Sequence, residues 1–277
     1  MTTVTITATD VNKLRQQTGA GMMDCKKALM EANGDFEAAI DFLRKKGQKV
    51  AANRSDRDAK EGVILAKTSE DGKRGAMILL SCETDFVAKT SDFINFTNTL
   101  TDLALNEKPS TIEDLKQLKL DGLTVTDRLF DMIGKIGEQI DIARYEIVEA
   151  PLVIAYNHPG NRLASMVGLS SVAGNSVGRD VAMQIAAMAP VAVDKEDVDA
   201  TTLAREIEIG KEQARQEGKP EDMLEKIAMG KLNKFYKENT LLNQSYIKED
   251  KLTIRQLLEQ TEKGLTVTGF KRIKLGA

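Results

Sequence analysis

The chain has 277 residues and a formal net charge of -3; 42% of its residues are hydrophobic, but only 4% are aromatic. This length is sufficient for two or three modules with their own cores, and no block of like charges is as long as a nucleic-acid-binding arm. Because aromatic platforms for base stacking are also scarce, we expect no direct nucleic-acid partner. No apolar run approaches the ~18 residues that span a bilayer, so we expect no membrane partner either.

The cysteines and the first residues of the chain indicate a cytoplasmic protein. Cys25 and Cys82 lie in different segments, a pattern that is typical of free thiols in a reducing compartment. Residues 1–7 have neither the basic region nor the apolar core of a signal peptide. We therefore expect a soluble chain in the cytoplasm.

Caps and turn glycines predict a small three-helix domain over residues 1–50. Thr9 or Asp10 can cap the first helix, and Asp35 can cap the third, which we expect to end before Gly47. The predicted helical spans are 11–17, 22–32 and 36–46. Each span carries an apolar stripe at helical spacing, so the three helices are expected to share one core.

The remainder of the chain predicts an α+β core of two similar subdomains. Residues 51–62 carry charges of both signs and read as an exposed linker. A strand, a turn, a second strand and a helix follow in that order, and the same order recurs later, which places the subdomains at 63–149 and 150–277. A charged helical hairpin at about 200–238 has too few apolar residues for a free-standing domain, so we expect it to project from the core. Strands and helices that do not alternate strictly favour α+β layers.

The connection at 84–90, which follows a buried apolar run, carries an aromatic side chain where a surface is expected. Phe86 and Val87 can pack inward beneath their own helix, or they can form a hydrophobic wedge beside Asp85 that is presented to another protein. The corresponding connection of the second copy, 171–176, contains no aromatic residue. If the helix needed an aromatic to pack on its strands, the second copy would need one too, so the comparison favours the wedge.

Other candidate residues offer little chemistry. His158 is the single histidine and lies in a His-Pro-Gly turn that needs no further role, while Cys25 fits a small core residue. Met22 and Met23 begin a helix and cannot both face its core, so one is simply exposed or both form an adaptable contact surface. No nucleophile has a visible base, and no metal-ligand cluster is present. We therefore expect a protein that is not an enzyme, with no catalytic residues, no metal and no cofactor.

Two longer runs carry a family resemblance. They are TGAGMMDCKKAL at 18–29 and TDFVAK at 84–89, and shorter matches follow at 135–138, 218–220 and 267–270. Together they resemble the signatures of elongation factor Ts, the guanine-nucleotide exchange factor of elongation factor Tu, over essentially the whole chain. In that family the first three helices resemble a ubiquitin-associated domain.

The resemblance implies elongation factor Tu as the partner and nucleotide exchange by Mg²⁺ displacement as the activity. It also implies which residues make contact: Thr84, Asp85, Phe86 and Val87 near the Mg²⁺ site, Arg15, Met22 and Met23 on a second patch of the GTPase domain, and, more weakly, His158. Family members differ in stoichiometry, so two copies of the chain can associate in the complex. The alternative is a ubiquitin-associated-like module that binds peptides or nascent chains, which the first three helices alone would permit.

Overall fold

The structure is a computed structural model that describes residues 5–54 and 56–276. The chain divides into two compact units. Unit 1 consists of Met1–Leu65, Ile78–Tyr145 and Leu275–Ala277, and unit 2 consists of Ala66–Met77 and Glu146–Lys274. Helices and small separate sheets are mixed along the described chain, which confirms the predicted α+β class.

Three helices at the start of unit 1 pack around a small apolar core. They are α1 (Ala8–Thr18), α2 (Met22–Glu31) and α3 (Phe36–Arg54). Thr7 caps α1 through a reciprocal capping box with Asp10, so the predicted cap at Thr9 or Asp10 is wrong by two or three positions. Gly19 ends α1 at a φ of 66°, a left-handed conformation that glycine adopts without steric cost. The buried residues of this core are Val11, Leu14, Ala20, Cys25, Ala28, Leu29 and Ala39.

The third helix is longer than the sequence predicts. It passes through Gly47 and continues well beyond it, so the start of the predicted 51–62 linker is helical. The reason is a close crossing with α7 (Val125–Ile136). A Cβ at Gly47 would lie 2.1 Å from the carbonyl oxygen of Phe130, and a Cβ at Gly134 would lie 3.2 Å from the Cα of Gly47. Gly47 therefore allows two helix backbones to touch and is not a stop signal.

After α3, strands and helices follow one another without strict alternation up to the last strand of a first sheet. In order, the elements are β1 (Glu61–Thr68), β2 (Arg74–Cys82), α4 (Asp85–Ala88), α5 (Ser91–Glu107), α6 (Ile112–Gln117), β3 (Lys119–Leu120), β4 (Leu123–Thr124), α7 and β5 (Asp141–Glu149). Strand β2 lies between β1 and β5, and β3 pairs with β4 in a separate short hairpin. Every residue of β2 is buried, as expected of a central strand that is covered on both faces.

Unit 2 contains a second three-stranded sheet, a helical hairpin and a closing segment. The elements are β6 (Leu152–Asn157), β7 (Leu163–Leu169), α8 (Asn175–Met188), α9 (Ala200–Gln216), α10 (Glu221–Asn239), β8 (Ser245–Tyr246), β9 (Glu249–Thr253), α11 (Ile254–Thr261) and β10 (Val267–Lys274), with short 3-10 helices at Val172–Gly174, Lys195–Asp197 and Leu241–Asn243. The sheet order is β10-β7-β6, with both pairs antiparallel. Helices α8 and α11 supply Val181, Ile185, Ile254 and Leu258 to its core.

The recurring order of elements is present in the structure. β1, β2 and α5 follow one another in the first copy, and β6, β7 and α8 do so in the second. The predicted helical hairpin is present as α9 and α10. Elements too short to give a periodic signal, namely α6, β3, β4 and β9, were not predicted. The boundaries proposed for the domains stay a prediction.

Among the described residues, no helix combines the length and the apolar character required to cross a membrane.

The crossing of α3 and α7 predicts an unequal effect of two glycine-to-alanine changes. Gly47→Ala should destabilise the chain by roughly 1–3 kcal/mol, because its new Cβ meets backbone atoms that cannot rotate away. The matched control is Gly230→Ala in α10, where the described residues place no atom within 4 Å of the new Cβ. That change should be neutral or stabilise by up to about 1 kcal/mol, because alanine is the better helix former. Thermal unfolding of both variants checks this, and equal melting temperatures would contradict the crossing.

Candidate functional site

The connection after β2 is a single helical turn. Thr84 has an extended backbone and caps α4, its Oγ1 accepting a hydrogen bond from the backbone N–H of Val87 at 3.4 Å. Thr90 then caps α5, so the chain leaves β2, makes one turn and starts a new helix within a few residues. The predicted connection at 84–90 therefore has regular structure of its own. The two threonine caps fix the positions at which α4 and α5 begin.

Phe86 lies on the outside of this turn, with 81% of its surface exposed. Ala88 is buried and Val87 is partly buried, so the inner side of α4 is formed by these smaller residues. The interpretation in which Phe86 packs inward beneath its own helix is therefore wrong for the isolated chain. In the second copy the corresponding connection carries Val172, which is also exposed. Both copies thus expose an apolar residue there, and only the first exposes an aromatic one.

Two glutamates hold the turn in place from opposite sides. The Oε2 atom of Glu138 accepts hydrogen bonds from the backbone N–H groups of Glu83 and Thr84, both at 3.0 Å, and its Oε1 accepts the Thr84 hydroxyl at 2.6 Å. In return, Oε1 of Glu83 accepts the backbone N–H of Gln139 at 2.7 Å and Nη1 of Arg54 at 2.7 Å. We call this arrangement the glutamate bracket. It ties the residues before α4 to those after α7 through charge-assisted bonds, which are stronger than neutral ones.

The electrostatics of the bracket follow from these contacts. The hydrogen bond from the Gln139 N–H, with Arg54 as a further contributor, lowers the pKa of Glu83. Burial, reinforced by the carboxylate of Glu138, raises the pKa of Cys82 to about 12. Cys82 therefore remains a protonated thiol, which donates to the carbonyl oxygen of Thr84 at 3.2 Å. The Cys82 thiol thus adds a hydrogen bond within the segment that the two glutamates hold.

Asp85 is positioned at the first residue of α4 beside Phe86. Its Oδ2 lies 2.5 Å from Nζ of Lys89, an ion pair one helical turn apart. The Lys89 side chain is 74% exposed and that of Asp85 is 42% exposed. Exposed pairs of this kind contribute only about 0.2–1 kcal/mol. The ion pair with Lys89 can therefore be given up at low energetic cost.

The second predicted patch lies on the three N-terminal helices. Arg15 is exposed in the last turn of α1, and both Met22 and Met23 are exposed at the start of α2. Their neighbours Cys25, Ala28 and Leu29 supply the buried face. Neither methionine therefore faces the core, and their role as a contact surface stays a prediction. Flexible, polarisable side chains of this kind suit an adaptable contact surface.

Lys135 joins this patch to the helix that follows the Phe86 turn. A Cβ at Gly19 would lie 2.9 Å from Cε of Lys135, so the α1–α2 turn contacts that side chain. The Nζ atom of Lys135 lies 2.6 Å from Oδ2 of Asp92 in the first turn of α5. Both predicted contact regions of unit 1 are therefore connected through a residue of α7.

His158 belongs to unit 2, in the turn between β6 and β7. Its side chain is exposed, its Nδ1 lies 2.9 Å from the hydroxyl of Tyr156, and its backbone N–H donates to the carbonyl oxygen of Leu163 at 2.9 Å. The hydroxyl contact orients the ring on the surface.

No group of three or more His, Cys, Asp and Glu side chains that could hold a metal ion occurs within residues 5–54 and 56–276.

Sequence reasoning missed the residues that support the Phe86 turn. Glu83, Glu138 and Arg54 are far apart in the sequence and no spacing connects them. Glu138 had a weak signal, because it lies in one of the short runs that resemble a family signature. Their shared role depends on the folded backbone, which brings the residues after β2 and α7 together.

Comparisons with known proteins identify the family of this chain. The family model described as "Elongation factor TS" matches residues 83–277. Proteins named elongation factor Ts are 55% identical in Cytophaga hutchinsonii and 54% identical in Amoebophilus asiaticus, each over 275 residues that cover 98% of this chain and 99% of the relative. The protein of that name in Christiangramia forsetii is 50% identical with the same coverage. Matches of this extent over both units show that the chain belongs to the elongation factor Ts family.

Proposed function

We propose that this chain binds elongation factor Tu loaded with GDP, displaces its Mg²⁺ and promotes GDP release so that GTP can bind. Its family membership supports a role in translation elongation. The observation that carries the proposed mechanism is Phe86, an aromatic side chain that is 81% exposed on a turn held by the glutamate bracket. Aromatic anchors of this kind supply much of the binding energy at interfaces.

Nucleotide exchange requires only that the factor binds the GTPase; it needs no chemical step. A factor that binds the nucleotide-free GTPase more tightly than the loaded GTPase weakens nucleotide binding by the same factor. Phe86 would insert between elements of the GTPase domain near its Mg²⁺ site, and Asp85 would engage the segment that shifts. Loss of Mg²⁺ removes a charge that neutralises the phosphates, so GDP dissociates faster. We propose on this basis that the chain is not an enzyme and uses no catalytic residue of its own.

The glutamate bracket would make this insertion efficient. A mobile loop loses backbone conformational entropy when it binds, whereas a rigid turn has already lost that entropy during folding. Glu138 holds the backbone immediately before Phe86 by two N–H groups and one hydroxyl. The wedge would therefore enter its partner in the orientation in which it folds.

Thr84 and Val87 would border the wedge and belong with Asp85 and Phe86 to the surface that displaces Mg²⁺. Arg15, Met22 and Met23 would contact a second patch of the GTPase domain. His158 would make a weaker contact from unit 2. The C-terminal half would bind the other domains of elongation factor Tu in the cytoplasm, and association of two copies in the complex is part of the proposal.

The wedge predicts opposite effects for two phenylalanines. Phe86→Ala should leave thermal unfolding of the isolated chain unchanged while weakening the nucleotide-free complex by on the order of 2 kcal/mol or more. The matched control is Phe93→Ala, since Phe93 is fully buried at the start of α5. That control should lose roughly 3–5 kcal/mol of stability.

Both variants are measured by thermal unfolding and by stopped-flow release of a fluorescent GDP analogue from elongation factor Tu. Asp85→Ala, which also lies on an exposed part of α4, should likewise preserve folding and slow release. Phe86→Ala protein that melts normally and still releases GDP at the wild-type rate would show that the wedge mechanism is wrong.

The N-terminal patch predicts a different kinetic signature. Arg15→Ala and the double change Met22→Ala with Met23→Ala should weaken affinity for elongation factor Tu, while GDP release at saturating factor stays near the wild-type rate. The reason is that an interaction made equally with the loaded and nucleotide-free states contributes to affinity and not to exchange. Titration of the release rate against factor concentration separates the two effects. Unchanged affinity in both variants would remove this patch from the interface.

The glutamate bracket predicts that nucleotide exchange on elongation factor Tu slows when a bracket residue is changed, although no predicted contact residue is altered. Glu138→Gln keeps the size of the side chain but removes its charge and leaves one acceptor oxygen in place of two, so the charge-assisted bonds to the N–H groups of Glu83 and Thr84 become weaker neutral ones. The turn should loosen, so hydrogen exchange of the amides at 83–88 should accelerate and GDP release should slow. Glu113→Gln on the exposed side of α6 is the matched control and should behave as wild type. Slow amide exchange and normal GDP release in Glu138→Gln would exclude a positioning role.

A further inference from the structure

Helices α2 and α3 of unit 1 form an open groove of about 590 Å³. It is lined by four lysines, which we call its rim, by two partly buried apolar side chains, which we call its floor, and by Asp24 and Asn53. The lysines are Lys27, Lys45, Lys46 and Lys49, and the apolar residues are Phe42 and Val50. Phe42 and Val50 are only partly buried, so apolar surface is accessible between the ammonium groups.

The charge of the groove is only partly neutralised by the chain itself. Lys46 pairs with Asp24 at 2.5 Å. For Lys27, Lys45 and Lys49, the part of the chain that the structure describes supplies no ion pair. Lys45 and Lys49 are also four residues apart on α3, a spacing at which like charges destabilise a helix. The groove therefore retains positive charge at a cost to its own helix.

We propose that this groove binds an acidic, amphipathic helical segment of a partner protein. Carboxylates on such a segment would face Lys27, Lys45 and Lys49, and its apolar stripe would lie on Phe42 and Val50. Helix-in-groove binding combines these two features, with apolar anchors at helical spacing and charges at the edges. A charge-complementary rim also accelerates association and excludes basic partners.

The form of the groove favours a peptide over a nucleic acid. Phosphate backbones are bound mainly through electrostatic contacts, for which an apolar floor contributes nothing. Lysine also binds as a point charge, which suits single carboxylates on a helix. The proposal is independent of nucleotide exchange, because the described lining of the groove does not include Arg15, the two exposed methionines or the Phe86 turn.

The test uses the full chain and a fluorescein-labelled synthetic peptide of about twelve residues, long enough for roughly three helical turns. The peptide carries leucines on one face and glutamates on the other. Fluorescence anisotropy should show binding at low ionic strength that weakens as salt is added, because exposed charges are screened. Two control peptides, one with Gln for every Glu and one with Ser for every Leu, should each bind more weakly.

Charge-reversal variants locate the site. The triple variant Lys27→Glu, Lys45→Glu and Lys49→Glu should bind the acidic peptide at least about tenfold more weakly, as expected when three surface attractions become repulsions. The matched control is Lys219→Glu, Lys251→Glu and Lys263→Glu, which makes the same change of net charge at exposed lysines of unit 2 and should retain binding. Both variants should melt as the wild-type chain does, because all six lysines carry their charge on the surface and none belongs to a buried core.

Three results would overturn the proposal. They are no binding of the acidic peptide to the wild-type chain, equal loss of binding in the two triple variants, and tighter binding of a short RNA duplex than of the peptide. If the groove variant fails to fold, the control peptides still decide the matter with the wild-type chain. Equal affinity for the glutamate, glutamine and serine peptides would then contradict both features of the proposed site.

Discussion

The carboxylate of Glu138 accepts hydrogen bonds from the backbone N–H groups of Glu83 and Thr84, and the carboxylate of Glu83 accepts one from the backbone N–H of Gln139. The exposed turn that carries Phe86 depends on this reciprocal contact. Residues after β2 and after α7 would otherwise present unpaired donors at a half-buried position, where an unsatisfied group costs about 1–3 kcal/mol. With the donors satisfied, the backbone before Phe86 is fixed although the ring itself has almost no intramolecular packing. The turn therefore combines a rigid backbone with an exposed Phe86 side chain.

The bracket in turn needs α7 in its place, and a glycine contact secures that helix. Gly47 and Gly134 allow α3 and α7 to approach until backbone atoms touch. The end of α3 then brings Arg54 within 2.7 Å of Glu83, so the last turn of the N-terminal helices also supports the bracket. Lys135, on the same α7, contacts Gly19 and Asp92. Helix α7 therefore supports both predicted contact regions of unit 1. Other residues of α3 line the lysine-rimmed groove.

Most elements could be predicted from the sequence because their signals are local. The apolar stripes of the first three helices and the strand pairs of both copies depend on residues a few positions apart. The exposed Phe86 was one of two open interpretations, since spacing alone does not show which side of a turn faces solvent. Likewise Gly47 is a stop signal in a local reading, because glycine is a poor helix residue. Only the presence of α7 makes it the residue that lets the helix continue.

The class of fold, the family signatures and the candidate residues for partner contact can be predicted from the sequence alone. The orientation of Phe86, the reciprocal hydrogen bonds of Glu83 and Glu138 and the uncompensated charge between α2 and α3 depend on tertiary structure. The physical reason is the range of the interactions. Caps, turns and amphipathic stripes form between neighbours in the chain, whereas burial and hydrogen bonding between distant residues exist only after the backbone has folded, when segments more than fifty positions apart come into contact.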